Sequence, residues 1–141
     1  LCFKIQNKLI SGDTAFLAGA GNTRFGGSVE DLYQSFVKKI LPLSGRLELC
    51  PGHDYAETNL RFARTLEPDN PHIDRKLKEL KDASRNGQVV KSNLKDERSY
   101  NPFFRFQRPE LIESLRAEYP ELELDDPFAV FKLIRELRNH W

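Results

Sequence analysis

Two short runs constrain this chain more than any other feature of its sequence. Ser11-Gly12-Asp13-Thr14 ends one apolar stretch, and Cys50-Pro51-Gly52-His53-Asp54-Tyr55 ends another. In each run a glycine turn follows a predicted buried strand and leads into a residue of metal-ligand type, Asp13 or His53. Parallel strands of an α/β sheet end at one rim, so we expect this carboxylate and this imidazole to meet there. The pattern predicts two ligands of a metal site.

The predicted metal site is incomplete. A catalytic zinc takes three protein ligands and a water, and a two-metal site needs more. The chain has three histidines, His53, His72 and His140, without a His-x-His pair or a His-Glu-x-x-His motif. His72 and His140 lie in charged helical segments, where we expect them to be exposed. The other ligands must therefore come from elsewhere, or the site holds no metal.

The start of the sequence suggests a longer protein. The chain has no methionine and opens inside an apolar segment, 1–5. Because natural domains seldom begin within a strand, we interpret the chain as the C-terminal part of a longer protein, with a processed or separately encoded subunit as the alternative.

The composition of the chain argues against some classes of binding partner. A net charge of +1 creates no field that would attract nucleic acid or a membrane surface. No apolar run approaches the roughly 18 residues of a membrane span, and no signal peptide is evident. Cys2 and Cys50 lie in strand-like segments, so we expect reduced core thiols. These features favour the cytoplasm, with the mitochondrial matrix as the alternative.

Periodicity predicts a layered α/β arrangement in the first part of the chain. Ser28 and Asp31 form a predicted capping box at the start of one helix. After Pro68 the sequence changes to short charged helices, so we predict an α/β unit at 1–67 and a helical unit at 68–141. The predicted strands are 1–5, 9–11 and 46–50, and the predicted helices are 29–41, 57–66, 73–85, 109–118 and 127–138.

Two other features have an ordinary interpretation when taken alone. Arg135 and Arg138 lie on the polar side of the last predicted helix, where spacing favours a solvated basic face. Gly19 and Gly21 resemble a dinucleotide fingerprint, but its third glycine is missing. We expect these glycines to let the backbone approach a ligand or pass beside the metal centre.

Five runs along the whole chain match the motifs of one family. They are Gly12-Asp13-Thr14-Ala15-Phe16, Gly19-x-Gly21, Pro51-Gly52-His53-Asp54-Tyr55 with Asn59-Leu60-x-Phe62-Ala63, Leu66-Glu67-Pro68, and Asn101-Pro102-Phe103-Phe104-Arg105. Together they resemble glyoxalase II, the hydroxyacylglutathione hydrolase family of the metallo-β-lactamase superfamily. The last two runs are specific to this branch.

The resemblance implies a fold and a metal centre. The fold would be the C-terminal half of the α/β metallo-β-lactamase (αββα) fold, followed by a small helical glutathione-binding domain. Asp13 would bridge two divalent metals and His53 would bind one of them. The family's other ligands come from an upstream His-x-His-x-Asp-His run and a further histidine, which this sequence lacks. The mixed ligand set suits zinc, iron or manganese, and zinc is favoured.

The resemblance also implies a substrate and a reaction. Tyr55, Arg135 and Arg138 would bind glutathione, the two arginines through its glycine carboxylate. This role replaces the interpretation of the two arginines as part of a solvated basic face. A complete protein would hydrolyse S-(2-hydroxyacyl)glutathione, of the S-D-lactoylglutathione type, by a binuclear metal-hydroxide mechanism. We expect the isolated chain to be an inactive fragment. The complete protein would be a monomer, or this chain would associate with its N-terminal part.

One loop departs from the family pattern. Family members usually have a short Gly-Cys-Gly-Lys/Arg-aromatic loop, and the corresponding segment here, residues 19–25, is one residue longer. Arg24 or Asn22 is therefore the candidate for the basic contact to glutathione, and Phe25 for the aromatic contact.

Two rival functions stay open at this stage. A persulfide dioxygenase-like enzyme with a single iron shares the Gly-Asp-Thr and Gly-His motifs but generally lacks the extension containing Asn101-Pro102-Phe103. A catalytically silent binding or regulatory protein could use the same scaffold. An upstream His-x-His-x-Asp-His run would favour the hydrolase, and its absence would favour the silent protein.

Overall fold

The computed structural model describes residues 1–24 and 26–141. Phe25, a predicted substrate contact, lies outside these residues. The strands are β1 Phe3–Ile5, β2 Lys8–Gly12, β3 Ala15–Phe16, β4 Gly19–Ala20, β5 Glu48–Pro51 and β6 Ser92–Asn93. The helices are α1 Val29–Ser35, followed by a π-helical segment Phe36–Ile40, then α2 Ala56–Leu66, α3 Pro71–Arg85, α4 Leu94–Tyr100, α5 Pro102–Arg105, α6 Pro109–Glu118 and α7 Pro127–His140.

A four-stranded sheet carries the two glycine turns. Its order is β1-β2-β5-β6, and β2 pairs in parallel with β5 through Leu9 opposite Leu49. The outer strands β1 and β6 are antiparallel to their neighbours. Because β2 and β5 run in the same direction, Asp13 and His53 follow strand ends at the same rim of the sheet. This confirms the predicted relation between the two strands.

Local signals account for most helix boundaries. The Ser28 hydroxyl accepts the Asp31 N–H at 3.0 Å, which confirms the predicted cap of α1. That helix was predicted to continue regularly to residue 41, whereas Phe36–Ile40 adopts a π-helical turn. The structure also adds α4 and α5, in a segment without a predicted element. There, side chains of Asn93 and Asn101 cap the two short helices.

The apolar core joins the first and second parts of the chain. Phe36 and Leu49 belong to the same buried cluster as Phe103 and Phe131. Phe131 packs edge-on against Phe103, with ring centroids 5.3 Å apart. The α/β layering is thus observed with helices from both parts packed on it, and the division at residue 68 stays a prediction. No helix among the described residues has the length and apolarity required to cross a membrane.

Candidate functional site

Asp13 and His53 are neighbours at the rim of the sheet. The Oδ1 atom of Asp13 lies 2.8 Å from Nδ1 of His53. The Gly52 N–H donates to the Gly12 carbonyl at 2.9 Å, and a Cβ at position 52 would lie 2.9 Å from Asp13 Oδ1. Glycine at 52 therefore leaves room for the carboxylate. The side chains of His53 and Asp13 are 56% and 69% exposed, so both are accessible to a ligand.

Aromatic side chains hold the imidazole from one side. The Tyr55 ring stacks on the His53 ring, with centroids 5.6 Å apart and planes inclined by 15°. Phe16, which is buried in β3, meets the Tyr55 ring edge-on at 5.2 Å. These contacts restrict how the two exposed rings can turn. Phe16 had no role in the sequence prediction beyond its place in a motif.

A cleft of about 460 Å³ opens beside the Asp13–His53 pair. It brings together the predicted residues of the sheet rim and of the last helix, which are far apart in sequence. Its lining residues are Asp13, Phe16, Ala20, Asn22, His53, Tyr55, Asn59, Arg135, Arg138 and Asn139. Asn59 and Asn139 line the cleft but had no role in the sequence prediction, although Asn59 belongs to a matched motif.

The two arginines of α7 differ in their surroundings. Arg135 is only 5% exposed, and its Nη1 donates to the carbonyls of Ala20 and Gly21 at 2.9 and 3.0 Å. Burial, with the nearby charges of Arg138 and Arg24, lowers the pKa of Arg135 to about 10. Its Nε is buried and has no hydrogen-bond partner among the residues that the structure describes. Arg138 is half-buried. The cleft therefore has one arginine fixed to the backbone and one nearer to solvent.

Two residues of the longer glycine loop differ in their relation to the cleft. Asn22 lines it, and its Oδ1 accepts the backbone N–H of Arg24 at 2.8 Å. The Arg24 side chain is exposed and does not line the cleft, although its charge acts on Arg135. A ligand contact of Arg24 stays a prediction.

Buried polar side chains from several helices hold the hairpin formed by β3 and β4. Glu97 is fully buried, and its Oε2 accepts the Ala18 N–H at 2.9 Å. Asn101 Nδ2 donates to the carbonyls of Phe16 and Gly19 at 3.3 and 3.2 Å, and to Glu97 Oε2 at 2.8 Å. Since the hairpin lies between Asp13 and Asn22, these contacts fix one wall of the cleft. The sequence assigned no role to Glu97.

A larger cleft, of about 640 Å³, lies away from all of these residues. It surrounds the ion pair in which Arg105 donates to both carboxylate oxygens of Glu67, at 2.7 and 2.8 Å. Both partners are largely buried and already satisfied. His72 borders this cleft and is half-buried, where we expected it to be exposed. We assign the candidate site to the smaller cleft, which contains the accessible carboxylate and imidazole.

Asp13 and His53 fit part of a metal site. A carboxylate oxygen and an imidazole nitrogen are ligands that suit zinc, iron or manganese, and here they are adjacent and accessible. Within residues 1–24 and 26–141, no three His, Cys, Asp or Glu side chains are grouped closely enough to hold a metal ion. In this part of the chain, the site offers two ligands.

Comparison with known proteins identifies similar sequences over nearly the whole chain. A family model described as "Hydroxyacylglutathione hydrolase C-terminus" matches residues 54–141. Three similar proteins are named hydroxyacylglutathione hydrolase. They come from Polaromonas sp. strain JS666 (44% identity, 96% of this chain, 52% of that protein), Nitrosococcus oceani (42%, 94% and 51%) and Anaeromyxobacter dehalogenans (39%, 95% and 53%). The chain spans about half the length of the curated relatives it matches.

Proposed function

Because this chain belongs to the hydroxyacylglutathione hydrolase family, we propose that it forms the C-terminal half of a glutathione thioester hydrolase. The substrate is an S-(2-hydroxyacyl)glutathione of the S-D-lactoylglutathione type. Hydrolysis breaks the acyl C–S bond, and water supplies the hydroxyl of the acid and the proton of the thiol. The observation that carries the proposal is one cleft with an Asp13–His53 pair and two guanidinium groups.

The residues of the cleft divide into two roles. Arg138 and the more deeply buried Arg135 attract the glycine carboxylate of glutathione, and Tyr55 provides an aromatic wall. Asp13 and His53 would hold divalent metals, together with ligands from the rest of the protein. Such metals supply Lewis-acid polarisation of the acyl carbonyl and activation of a water at neutral pH. Binding the peptide part at the arginines orients the thioester towards the Asp13–His53 pair.

An exposed apolar face of the sheet supports the presence of a further segment in the complete protein. Phe3 and Ile5 of β1 are both 53% exposed, and Ile10 of β2, opposite Phe3, is 40% exposed. Facing positions in an antiparallel pair project to the same side, so the three side chains form one patch. We propose that the half of the protein corresponding to the unmatched part of its relatives packs on this face.

The isolated chain is expected neither to hold two metals tightly nor to hydrolyse S-D-lactoylglutathione. Two ligands cannot dehydrate and fix a binuclear centre. Metal analysis of the purified chain after incubation with zinc, together with release of free thiol from the thioester, measures both properties. Stoichiometric tight metal with turnover would contradict the prediction.

The complete protein, expressed from the extended coding sequence, provides the test of the proposed function. We expect metal-dependent thiol release from S-D-lactoylglutathione. Tight glutathione binding without turnover in the metal-loaded complete protein would instead favour the silent binding protein. Oxygen consumption with glutathione persulfide would favour the dioxygenase.

Replacing Arg138 or Arg135 by alanine should have different consequences. In the complete protein, Arg138→Ala is expected to raise KM for the thioester about tenfold, with a much smaller change in kcat, because a carboxylate remote from the reacting bond is bound similarly in ground and transition states. Arg135→Ala should also lower the free energy of unfolding, since the Ala20 and Gly21 carbonyls lose their buried donor.

Steady-state kinetics and urea unfolding of both variants test this distinction. Lys132→Ala, an exposed position on the same helix, is the control and should change neither quantity. An unchanged KM in Arg138→Ala would remove this residue from the binding site.

A further inference from the structure

Gly19 leaves room for a neighbouring side chain. A Cβ at this position would collide with Nδ2 of Asn59 and lie 2.8 Å from its Cγ. The φ of Gly19 is not positive, so its backbone conformation does not by itself require glycine. Its missing side chain leaves the space that the Asn59 amide occupies, and Asn59 is only 5% exposed. This gives a structural reason for one half of the Gly19-x-Gly21 motif.

The Asn59 amide uses both of its ends. Its Nδ2 donates to the Leu17 carbonyl in the hairpin turn at 3.0 Å. Its Oδ1 accepts from Nε and Nη2 of Arg138, each at 3.3 Å. One buried amide therefore connects the hairpin to the guanidinium group of the cleft.

Asn59 orients the Arg138 guanidinium but does not neutralise its charge. Within the described parts of the chain, Arg138 forms no salt bridge with a carboxylate. Its guanidinium lies against the rings of Phe62 and Trp141, 5.8 and 5.6 Å from their centroids. The amide oxygen of Asn59 fixes the direction in which the Arg138 N–H groups point. Because this amide is neutral, the positive charge of Arg138 stays available to an anionic ligand.

We propose that Asn59 is a positioning residue for Arg138, held in the space that Gly19 leaves open, and that it sets the guanidinium for binding a ligand carboxylate in the cleft. The coupling of Asn59 to Arg138 is independent of the identity of the ligand. The consequence for glutathione binding rests on the proposed function.

A ligand-free experiment tests the coupling in the 141-residue chain. Hydrogen exchange of the Arg138 Nε–H, followed by ¹⁵N NMR, should be slow in the wild type and at least about tenfold faster in Asn59→Leu, because the acceptor is removed. Gly19→Ala should accelerate this exchange similarly by displacing the Asn59 amide. The double variant, Gly19→Ala with Asn59→Leu, should exchange little faster than Asn59→Leu alone. Asn93→Ala, which removes the side-chain cap of α4 away from the cleft, is the control for general loss of stability. Unchanged exchange in Asn59→Leu would overturn the proposal.

A binding experiment separates positioning from a purely structural role. Trp141, the one tryptophan of the chain, lies beside Arg138 and reports binding of S-methylglutathione by its fluorescence. Asn59→Asp has nearly the same volume and still accepts from Arg138, although it loses the bond to the Leu17 carbonyl. Its carboxylate competes with the ligand for the guanidinium. We expect slow Arg138 Nε–H exchange in Asn59→Asp together with binding weakened about tenfold or more.

The outcomes distinguish the two proposals. If Asn59→Asp binds S-methylglutathione as tightly as the wild type, Asn59 does not control the charge that Arg138 offers, and the positioning proposal is wrong. If the wild-type chain binds no S-methylglutathione while the exchange data show the expected coupling, the glutathione function fails for this chain and the Asn59–Arg138 coupling stands.

Discussion

Replacing either Asp13 or His53 by alanine in the complete protein is expected to reduce kcat/KM for S-D-lactoylglutathione by more than about 100-fold, since loss of a direct metal ligand should exceed the 10–100-fold effect of outer contacts. The two side chains are 2.8 Å apart and accessible at the same rim of the sheet. Loss of either leaves one protein ligand from this chain at the proposed centre. Bound metal should fall together with activity.

The other two histidines provide the matched controls. His140 is exposed at the end of α7, and His72 borders the cleft that surrounds the Arg105–Glu67 ion pair. His72→Ala and His140→Ala should leave activity within about twofold of the wild type, because neither side chain lines the cleft that contains Asp13 and His53. Metal content and thiol release, measured on all four variants, decide the assignment. If His72→Ala were as damaging as His53→Ala, the assignment of the metal ligand would be wrong.

Replacing Glu97 by alanine is expected to lower the free energy of unfolding of the chain by about 3 kcal/mol or more. The change leaves the Ala18 N–H without its buried acceptor and opens a cavity. It also removes an acceptor from Tyr100 and from Asn101, whose bonds to Glu97 are both 2.8 Å long. Urea unfolding measures the loss, and Glu113→Ala, at an exposed position of α6, should stay within about 0.5 kcal/mol of the wild type.

The pH dependence provides a second measurement on the same residue. Burial raises the pKa of the Glu97 carboxyl above its ordinary value of 4.5. The folded protein then binds the proton more tightly than the unfolded chain does. The wild-type free energy of unfolding should therefore fall relative to that of Glu97→Gln as the pH rises from 4.5 towards the raised pKa. A constant difference between the two proteins across this range would contradict a raised pKa.

The parts of the fold that could be predicted are those set by neighbours in sequence. The Ser28 cap depends on a residue three positions away, and apolar periodicity located α2, α6 and α7. The glycine turns after the apolar runs identified the strand ends that bring Asp13 and His53 to one rim. The helices α4 and α5 were missed because they are short, and because their caps, Asn93 and Asn101, are also common loop residues.

The candidate site could be predicted only in part. The motif match selected Asp13, His53, Tyr55, Asn22, Arg135 and Arg138, and the fold brings these residues to one cleft. Their roles in metal and substrate binding stay predictions. The match treated Arg135 and Arg138 as equivalent, whereas they differ in burial and in hydrogen-bond partners.

The sequence by itself determined the strand ends, the main helices, the family and the candidate ligand residues, because each depends on local spacing or on a motif. Only the tertiary structure decided that Arg135 is fixed to the hairpin, that Glu97 accepts from Ala18, and that Gly19 makes room for Asn59. Asp13 and His53 could be paired from the sequence because both follow recognisable strand ends. The partners of Glu97 and Arg135 are backbone groups distant in sequence, which any residue type could supply. Which backbone groups pair with Glu97 and Arg135 therefore depends on how the helices pack against the hairpin.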